Sequence, residues 1–169
     1  MVVDPFTPDN DGVNHINIYS RGKTELGVNL SHFAKTPFVH PYFGPFNSME
    51  GFWYYLKAEK KDDKLRQLYG PEAKFYGKKI SSVLVKHFNL LIMDANYLKI
   101  KQNPHIARMM IESTLPFDHY YVNYKADSPF KIKIPGFEWL ISGFERIRDD
   151  LKNGNVNHPL DYDRLMKDN

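Results

Sequence analysis

The sequence contains no cysteine, and this absence excludes disulfide bonds, thiolate catalysis and cysteine-based zinc sites. It also has no run of about 18 consecutive apolar residues, the length that a membrane-spanning helix requires. The segment Met1-Val2-Val3-Asp4-Pro5 lacks the basic and apolar regions of a secretory signal. We therefore expect a soluble, cytoplasmic protein.

Several common catalytic motifs are also missing. There is no Gly-x-Gly-x-x-Gly and no Gly-x-Ser-x-Gly, and Lys79 stands where a phosphate-binding loop ending in Gly77-Lys78 would need a hydroxyl. The seven histidines form no His-x-x-x-His pair, so we expect no metal site. His87 falls on the apolar face of a predicted helix and is interpreted as a core histidine. Carboxylates, lysines and backbone groups remain as candidates for catalysis, and no cofactor is expected.

The composition is that of one folded domain. Hydrophobic residues make up 42% and aromatic residues 15% of the 169 residues, which is enough for one substantial core. Residues 1–13 are polar and are predicted to form a loose lead-in, and residues 14–169 a single domain. The formal net charge of +3 permits contact with phosphates, although the lysine-rich segments also suit solvated helix faces.

Hydrophobic periodicity and helix-boundary residues predict an α+β fold that is mainly α-helical, with a few short strands. A helix of about 18 residues is expected to contain Val83–Ala95. The other helices are predicted at about 47–60, 62–69, 71–78, 104–112 and 137–151, with a short terminal helix, and strands near 16–18, 118–124 and 130–134.

The helix predicted around residue 50 has the most informative pattern. At about 100° per residue, one apolar stripe forms that would face the core, made of Met49, Phe52, Trp53 and Leu56. Glu50, Tyr54 and Lys57 form a second row at the border of that stripe. Glu50 and Lys57 are about 10 Å apart along the axis, a spacing suited to two parts of one ligand. Helix statistics alone favour the other interpretation, in which Glu50 and Lys57 are solvated surface charges.

An ordered set of motifs resembles a known family. It comprises Leu30-Ser31-His32-Phe33, Ser48-x-Glu50-x-x-x-Tyr54-x-x-Lys57-Ala58, Ala73-Lys74-x-x-Gly77-Lys78, Lys101-Gln102-Asn103 and Asp118-x-Tyr120-Tyr121. In order and spacing this set resembles the NADAR (YbiA-like) superfamily over about residues 15–150. The sequence departs from the family pattern at His32 in place of Asn, Gly51-Phe52-Trp53 in place of His-Tyr-Tyr, Lys78 in place of Arg and Tyr121-Val122 in place of Trp-Gly.

The resemblance implies a single compact YbiA-like domain and an N-glycosidase that cleaves a ribose C1–N bond. The expected reaction is removal of ADP-ribose from guanine in nucleic acid. Cleavage of phosphorylated riboflavin-biosynthesis intermediates is the alternative, and a non-catalytic module that binds ADP-ribose or NAD is another. An ordinary interaction domain remains as a further possibility. The expected partner is therefore ADP-ribosylated nucleic acid or a nucleotide-like small molecule, and the oligomeric state stays open.

The resemblance also implies roles for particular residues. Glu50 would stabilise positive charge at C1 and activate a water, and Asp118 would hold ribose hydroxyls or share the acid–base work. Lys57 would act as nucleophile, acid or phosphate anchor, with the three roles left open. The residues expected to bind substrate are Tyr19, Arg21, Ser31, His32, Phe33, Tyr54, Lys78 and Tyr120.

Overall fold

The computed structural model describes residues 3–155 and 159–169 and confirms the α+β class. His158 is outside the described residues. The helices are α1 (Glu25–Leu30), α2 (Met49–Lys57), α3 (Gly70–Lys78), α4 (Phe88–Gln102), α5 (Pro104–Glu112), α6 (Glu138–Asn153) and α7 (Tyr162–Lys167). The strands are β1 (Ile16–Asn17), β2 (Phe38–His40), β3 (Gly44–Phe46), β4 (Phe117–Asp118), β5 (Tyr120–Asn123) and β6 (Phe130–Lys133), and two 3-10 helices cover Pro8–Asn10 and Asp63–Arg66.

Local sequence explains where the helices near the site begin. Ser48 caps α2, because its side chain accepts a hydrogen bond from the Gly51 N–H, which satisfies a free amide of the first turn. Thr24 caps α1 in the same way, through the Gly27 N–H. Proline stands in the first turn of α3 and of α5, where its missing N–H costs nothing.

The strands are short and pair in three small sheets. β1 and β4 run parallel, with Ile16 opposite Phe117 and Asn17 opposite Asp118. β2 with β3 and β5 with β6 form antiparallel pairs. The β1–β4 pair joins segments about a hundred residues apart in sequence, and it brings residues 18–21 beside residues 119–121.

Two hydrophobic clusters form the core, and α4 connects them. Leu91 and Ile92, near the start of α4, pack in a cluster with β2, β3, α2 and α7. Tyr97 and Ile100, near its end, pack in a second cluster with β1, α1, α5 and α6. Within residues 3–155 and 159–169, none of the helices combines the length and the apolar character needed to cross a membrane.

The predicted helix through Val83–Ala95 is wrong at its beginning. α4 begins at Phe88, and Leu84 is fully exposed. The preceding chain instead pairs with the end of α2, through an Ala58–Ser82 bridge and the bond from Val83 N to Lys57 O. The interpretation of His87 as a core histidine is also wrong: it precedes α4 with φ of 62°, is exposed, and lies 2.8 Å from Asp168 Oδ2.

Three further elements were not predicted: α1 and the two strands of the β2–β3 hairpin, which lies in the proline-rich stretch after α1. The β6 strand forms as predicted, and its Ile132 is 42% exposed. The division at residue 13 stays a prediction. In the described part of the lead-in, the buried Asp11 carboxylate accepts hydrogen bonds from Asn17 N and Lys23 N.

Candidate active site

A cavity of about 800 Å³ lies where the two halves of the core meet. Its walls come from the β1–α1 connection, the loop after α1, α2, α3 and the β4–β5 region. Six of the predicted binding residues line it: Tyr19, Arg21, Ser31, His32, Phe33 and Tyr54. The predicted catalytic Glu50 lines it as well. The volume falls in the range of about 300–1,000 Å³ that is usual for small-molecule sites.

Glu50 is the carboxylate that α2 places at this cavity. Its N–H donates to His32 O at 2.9 Å, which ties the first turn of the helix to the loop after α1. Burial raises the pKa of Glu50 to about 7, against the opposing effect of Lys74, Lys57 and Lys78. A carboxyl group with that pKa exchanges its proton near neutral pH, as a general acid or base must.

The lysines around Glu50 are arranged differently from the sequence prediction. Lys74 of α3 lines the cavity, whereas Lys57 and Lys78 are not part of its lining. The Lys74 ammonium lies 5.9 Å from the ring centres of both Phe33 and Tyr121. Lys57 instead extends over the rings of Trp53 and Tyr54, at 5.7 and 5.5 Å. Both Lys57 and Lys78 still lower the pKa of Glu50.

The packing of α2 on α3 decides which lysine reaches the cavity. Gly77 faces the Tyr54 ring so closely that a Cβ there would lie 2.1 Å from the Tyr54 Cγ. Residues three apart share a helix face, so Lys74 lies on the face of α3 that carries Gly77 and meets α2. Lys78 lies one turn further along α3, about 6 Å from Lys74 along the helix axis, and is exposed.

A buried lysine supports the loop after α1. Lys99 Nζ donates to Ser31 O at 3.2 Å, and burial lowers the pKa of Lys99 to about 7. The neighbouring His32 accepts a hydrogen bond at Nε2 from the Asn96 side-chain amide, which also donates to Ile92 O. Burial, followed by the charges of Lys99 and His119, lowers the pKa of His32 to about 3. His32 is therefore neutral, with its proton on Nδ1.

Two further predicted site residues, besides Lys57 and Lys78, lie outside the cavity lining. Asp118 is buried and forms ion pairs with Lys131 at 2.7 Å and with Lys133. Burial raises the pKa of Asp118, but the hydrogen bonds from the two lysines outweigh it and hold that pKa below its usual range. Tyr120 is fully buried, and its hydroxyl bonds His15 Nε2 at 2.6 Å. Both side chains thus have protein partners on the opposite face of the strand from Tyr121.

Sequence reasoning missed several residues of the lining, among them Lys35, Lys74, His119 and Tyr121. Lys74 belongs to the quoted Ala73-Lys74-x-x-Gly77-Lys78 motif, from which the sequence prediction took Lys78 as the binding residue. Alternation along β5 contained a second signal, because neighbouring strand residues face opposite sides. With Tyr120 buried, Tyr121 and His119 point to the other side.

The cavity combines three kinds of surface. Arg21, Lys35 and Lys74 supply positive charge, and no salt bridge engages them within the described residues. Aromatic rings of Phe33, Trp53, Tyr54 and Tyr121 supply flat apolar walls. Glu50 supplies a carboxylate. These surfaces suit a ligand with an anionic group, a planar ring and a centre at which positive charge develops.

Comparisons with known proteins identify the fold and no more. No protein-family model matches the sequence, and no curated protein matches it. The NMR structure of the Escherichia coli protein YbiA superposes with a TM-score of 0.64 at 18% identity, over 88% of this chain and 91% of that chain. The chain therefore has a YbiA-like fold, with seven helices and a few short strands in the part that the structure describes.

Proposed function

We propose that this protein is an N-glycosidase that cleaves a ribose C1–N bond, and that its substrate is ADP-ribose attached to guanine in nucleic acid. The observation that carries the proposal is the position of Glu50, a carboxyl group with a pKa of about 7 in a cavity with basic and aromatic walls. The YbiA-like fold and the motif resemblance to the NADAR superfamily support it.

The chemistry follows from charge development in the transition state. Breaking the bond builds positive charge at C1 and negative charge on the departing nitrogen. The Glu50 carboxylate stabilises the first charge and takes a proton from the attacking water. A protonated lysine stabilises the departing base. Lys74 lines the cavity and Lys57 lies beside it, so both are assigned to this group.

The remaining walls suit the rest of an ADP-ribosyl ligand. Arg21, Lys35 and Lys74 present cations to the pyrophosphate. Phe33 and Trp53 present rings on which a purine can stack. A phosphorylated riboflavin intermediate has the same three features in a smaller molecule, and it is the second substrate class to be measured.

The test measures product release by mass spectrometry from a guanine-ADP-ribosylated oligonucleotide and from phosphorylated riboflavin intermediates. Wild type is expected to release ADP-ribose from the oligonucleotide. Glu50→Gln keeps the shape of the side chain and removes its charge, so kcat is expected to fall by about 100-fold or more. Glu59→Gln, at an exposed glutamate just after α2, is the matched control and keeps wild-type turnover.

Three results would contradict parts of this proposal. Wild-type turnover in Glu50→Gln would remove Glu50 from the mechanism. Cleavage of the riboflavin intermediates alone would leave the N-glycosidase and reject the nucleic-acid substrate. Tight binding of ADP-ribose with no turnover of any substrate would identify a non-catalytic binding module.

A further inference from the structure

His119 is a cavity residue to which neither the motif pattern nor the proposed mechanism gives a role. It lies between β4 and β5, where the parallel pairing with β1 places it beside Ile18. Its Nδ1 is 2.6 Å from Ile18 O. A carbonyl oxygen only accepts hydrogen bonds, so Nδ1 carries the proton and donates it.

The other ring nitrogen of His119 is left with a lone pair. Burial lowers the pKa of His119 below its ordinary value, with the Lys133 charge adding to that effect and the Ile18 bond and Asp118 opposing it. The ring is thus neutral at pH 7, and with the proton on Nδ1 its Nε2 is a hydrogen-bond acceptor.

That acceptor is open to the cavity. Within the described residues, His119 Nε2 has no hydrogen-bond partner. The side-chain atoms that are both unpartnered and fully buried are His40 Nε2 and Asn96 Oδ1, so His119 Nε2 is not fully buried. An unpartnered atom that is not fully buried is reachable by a ligand, and His119 lines this cavity.

Two aromatic rings hold the imidazole in its plane. Tyr121 and Phe137 contact it edge-on, with ring centres 5.9 and 5.6 Å away and interplanar angles of 83° and 79°. Together with the Ile18 bond, these contacts restrict rotation of the ring. The Nε2 lone pair therefore has a fixed direction, which lowers the entropic cost of binding a ligand group.

The position of the acceptor relative to Glu50 indicates what it binds. The Phe137 ring that contacts His119 also lies beside Trp53, with ring centres 6.4 Å apart. Trp53 is three residues after Glu50 on α2, so both lie on neighbouring turns of that helix. His119 is therefore on the side of the cavity that contains Glu50. In the proposed reaction Glu50 lies at C1 of the ribose, and the groups next to C1 that can donate a hydrogen bond are hydroxyls.

We propose that His119 Nε2 accepts a hydrogen bond from a hydroxyl of the ligand ribose. This inference rests on the proposed function, because it takes the sugar to be the group at Glu50. It makes His119 a specificity-determining residue that distinguishes a ribose from a sugar lacking that hydroxyl.

The experiment measures binding of ADP-ribose and of analogues that each lack one hydroxyl of the terminal ribose, by calorimetry. The test variant is His119→Asn, whose amide nitrogen can replace Nδ1 as the donor to Ile18 O but has nothing at the Nε2 position. Wild type is expected to bind one analogue about tenfold more weakly than ADP-ribose. His119→Asn is expected to bind both equally, at the weaker affinity.

Control measurements separate binding from folding. His105→Asn changes an exposed histidine of α5 and is expected to retain the discrimination. A nitrogen NMR spectrum of the wild-type protein tests the same contact without relying on the folding of any variant. It should show an unprotonated His119 Nε2 whose resonance moves on addition of ADP-ribose.

The outcomes distinguish the two proposals. If wild type binds ADP-ribose but His119→Asn still discriminates the analogues, or the Nε2 resonance does not move, the role of His119 is rejected and the proposed function stands. If wild type binds no ADP-ribose and cleaves no ADP-ribosylated oligonucleotide, the proposed function fails and this inference fails with it.

Discussion

Two opposing effects act on the ionised form of Glu50: burial destabilises it and nearby lysines stabilise it. Removing its carboxylate from water raises the pKa to about 7, and three nearby lysines partly compensate. A buried carboxylate at pH 8 therefore costs folding free energy, because the unfolded chain ionises the same group freely. Such a cost at a cavity wall is typical of functional residues.

The first prediction concerns the stability of Glu50→Gln. The folded-state pKa is raised from 4.5 to about 7, so the native state holds a proton that the unfolded state has lost between these values. Stability therefore falls as the pH rises from about 4.5 through about 7. Glu50→Gln should be more stable than wild type by about 2 kcal/mol at pH 8 and similar at pH 4.

Urea unfolding of both proteins at pH 4 and pH 8 measures this difference. Glu59→Gln serves as the control, since Glu59 is exposed and its replacement should leave stability unchanged at both values. Equal stability of Glu50→Gln and wild type at pH 8 would show that Glu50 is not desolvated.

The second prediction concerns the lysines around Glu50. Their effects on its pKa decrease in the order Lys74, Lys57, Lys78. Removing a cation makes the carboxylate harder to form, so each substitution by methionine should move the acidic limb of the kcat/KM profile to higher pH. The shift should be largest for Lys74→Met, up to about one pH unit, and smallest for Lys78→Met. If all three variants keep the acidic limb of wild type, that limb does not report the ionisation of Glu50.

At the scale of elements, the contact between α2 and α3 holds the site together. Gly77 has no side chain, which lets α3 approach the Tyr54 ring. That approach orients the face of α2 with Glu50 and the face of α3 with Lys74 toward one cavity. A glycine inside a helix costs about 1 kcal/mol relative to alanine. We infer that the close packing of α3 on α2 compensates for this loss of helix propensity.

The third prediction compares two glycines inside helices. In Gly77→Ala the new Cβ would lie 2.1 Å from an aromatic ring carbon of Tyr54, so the helices must separate. In Gly143→Ala of α6 it would lie 2.5, 2.7 and 2.8 Å from Cε, Sδ and Cγ of Met93, which belong to a flexible side chain that can move aside. Gly77→Ala should lose about 2 kcal/mol or more of stability and weaken ligand binding, whereas Gly143→Ala should change stability by less than about 1 kcal/mol.

Thermal and urea unfolding give the two stability changes, and calorimetry with ADP-ribose gives the binding change. Equal effects of the two substitutions would contradict the assigned role of the α2–α3 contact.

At the scale of the whole molecule, charge distribution matters more than net charge. The formal net charge is only +3, which by itself is weak support for a polyanionic substrate. The structure adds that Arg21, Lys35 and Lys74 line one cavity, with Lys57 and Lys78 near its carboxylate. Concentrated positive charge attracts phosphates more strongly than the same charge spread over the surface.

The fourth prediction follows from this concentration of charge. Each lysine–phosphate or arginine–phosphate contact releases counterions, with a slope of about −0.7 per contact on single-stranded nucleic acid. For about three contacts between the oligonucleotide backbone and lysines around the cavity, such as the exposed Lys78, in addition to the cations assigned to the pyrophosphate, kcat/KM on the ADP-ribosylated oligonucleotide should fall about tenfold or more when salt rises about fourfold. Activity on a small phosphorylated metabolite should change much less. A salt series on both substrates measures this, and equal slopes would argue against nucleic acid.

Local sequence determined the elements whose signals lie within a few residues. Ser48 and the apolar positions of α2 specify a capped, amphipathic helix, and Met49, Phe52 and Leu56 are fully buried as predicted. Pro104 indicated the start of α5, and this signal is also local because proline restricts only its immediate neighbours. Helix periodicity also indicated the position of Glu50 on a border row, and the motif order indicated the YbiA-like fold.

Tertiary structure decided which side chains line the cavity and in what protonation state. Lys74 rather than Lys78 lies at the turn of α3 that borders it, and His119 rather than Asp118 faces it because β4 pairs with β1. The pKa of Glu50 likewise depends on burial by segments far away in sequence. These properties arise from contacts between distant segments, and desolvation and charge act through space, so a local pattern of residue types does not contain them.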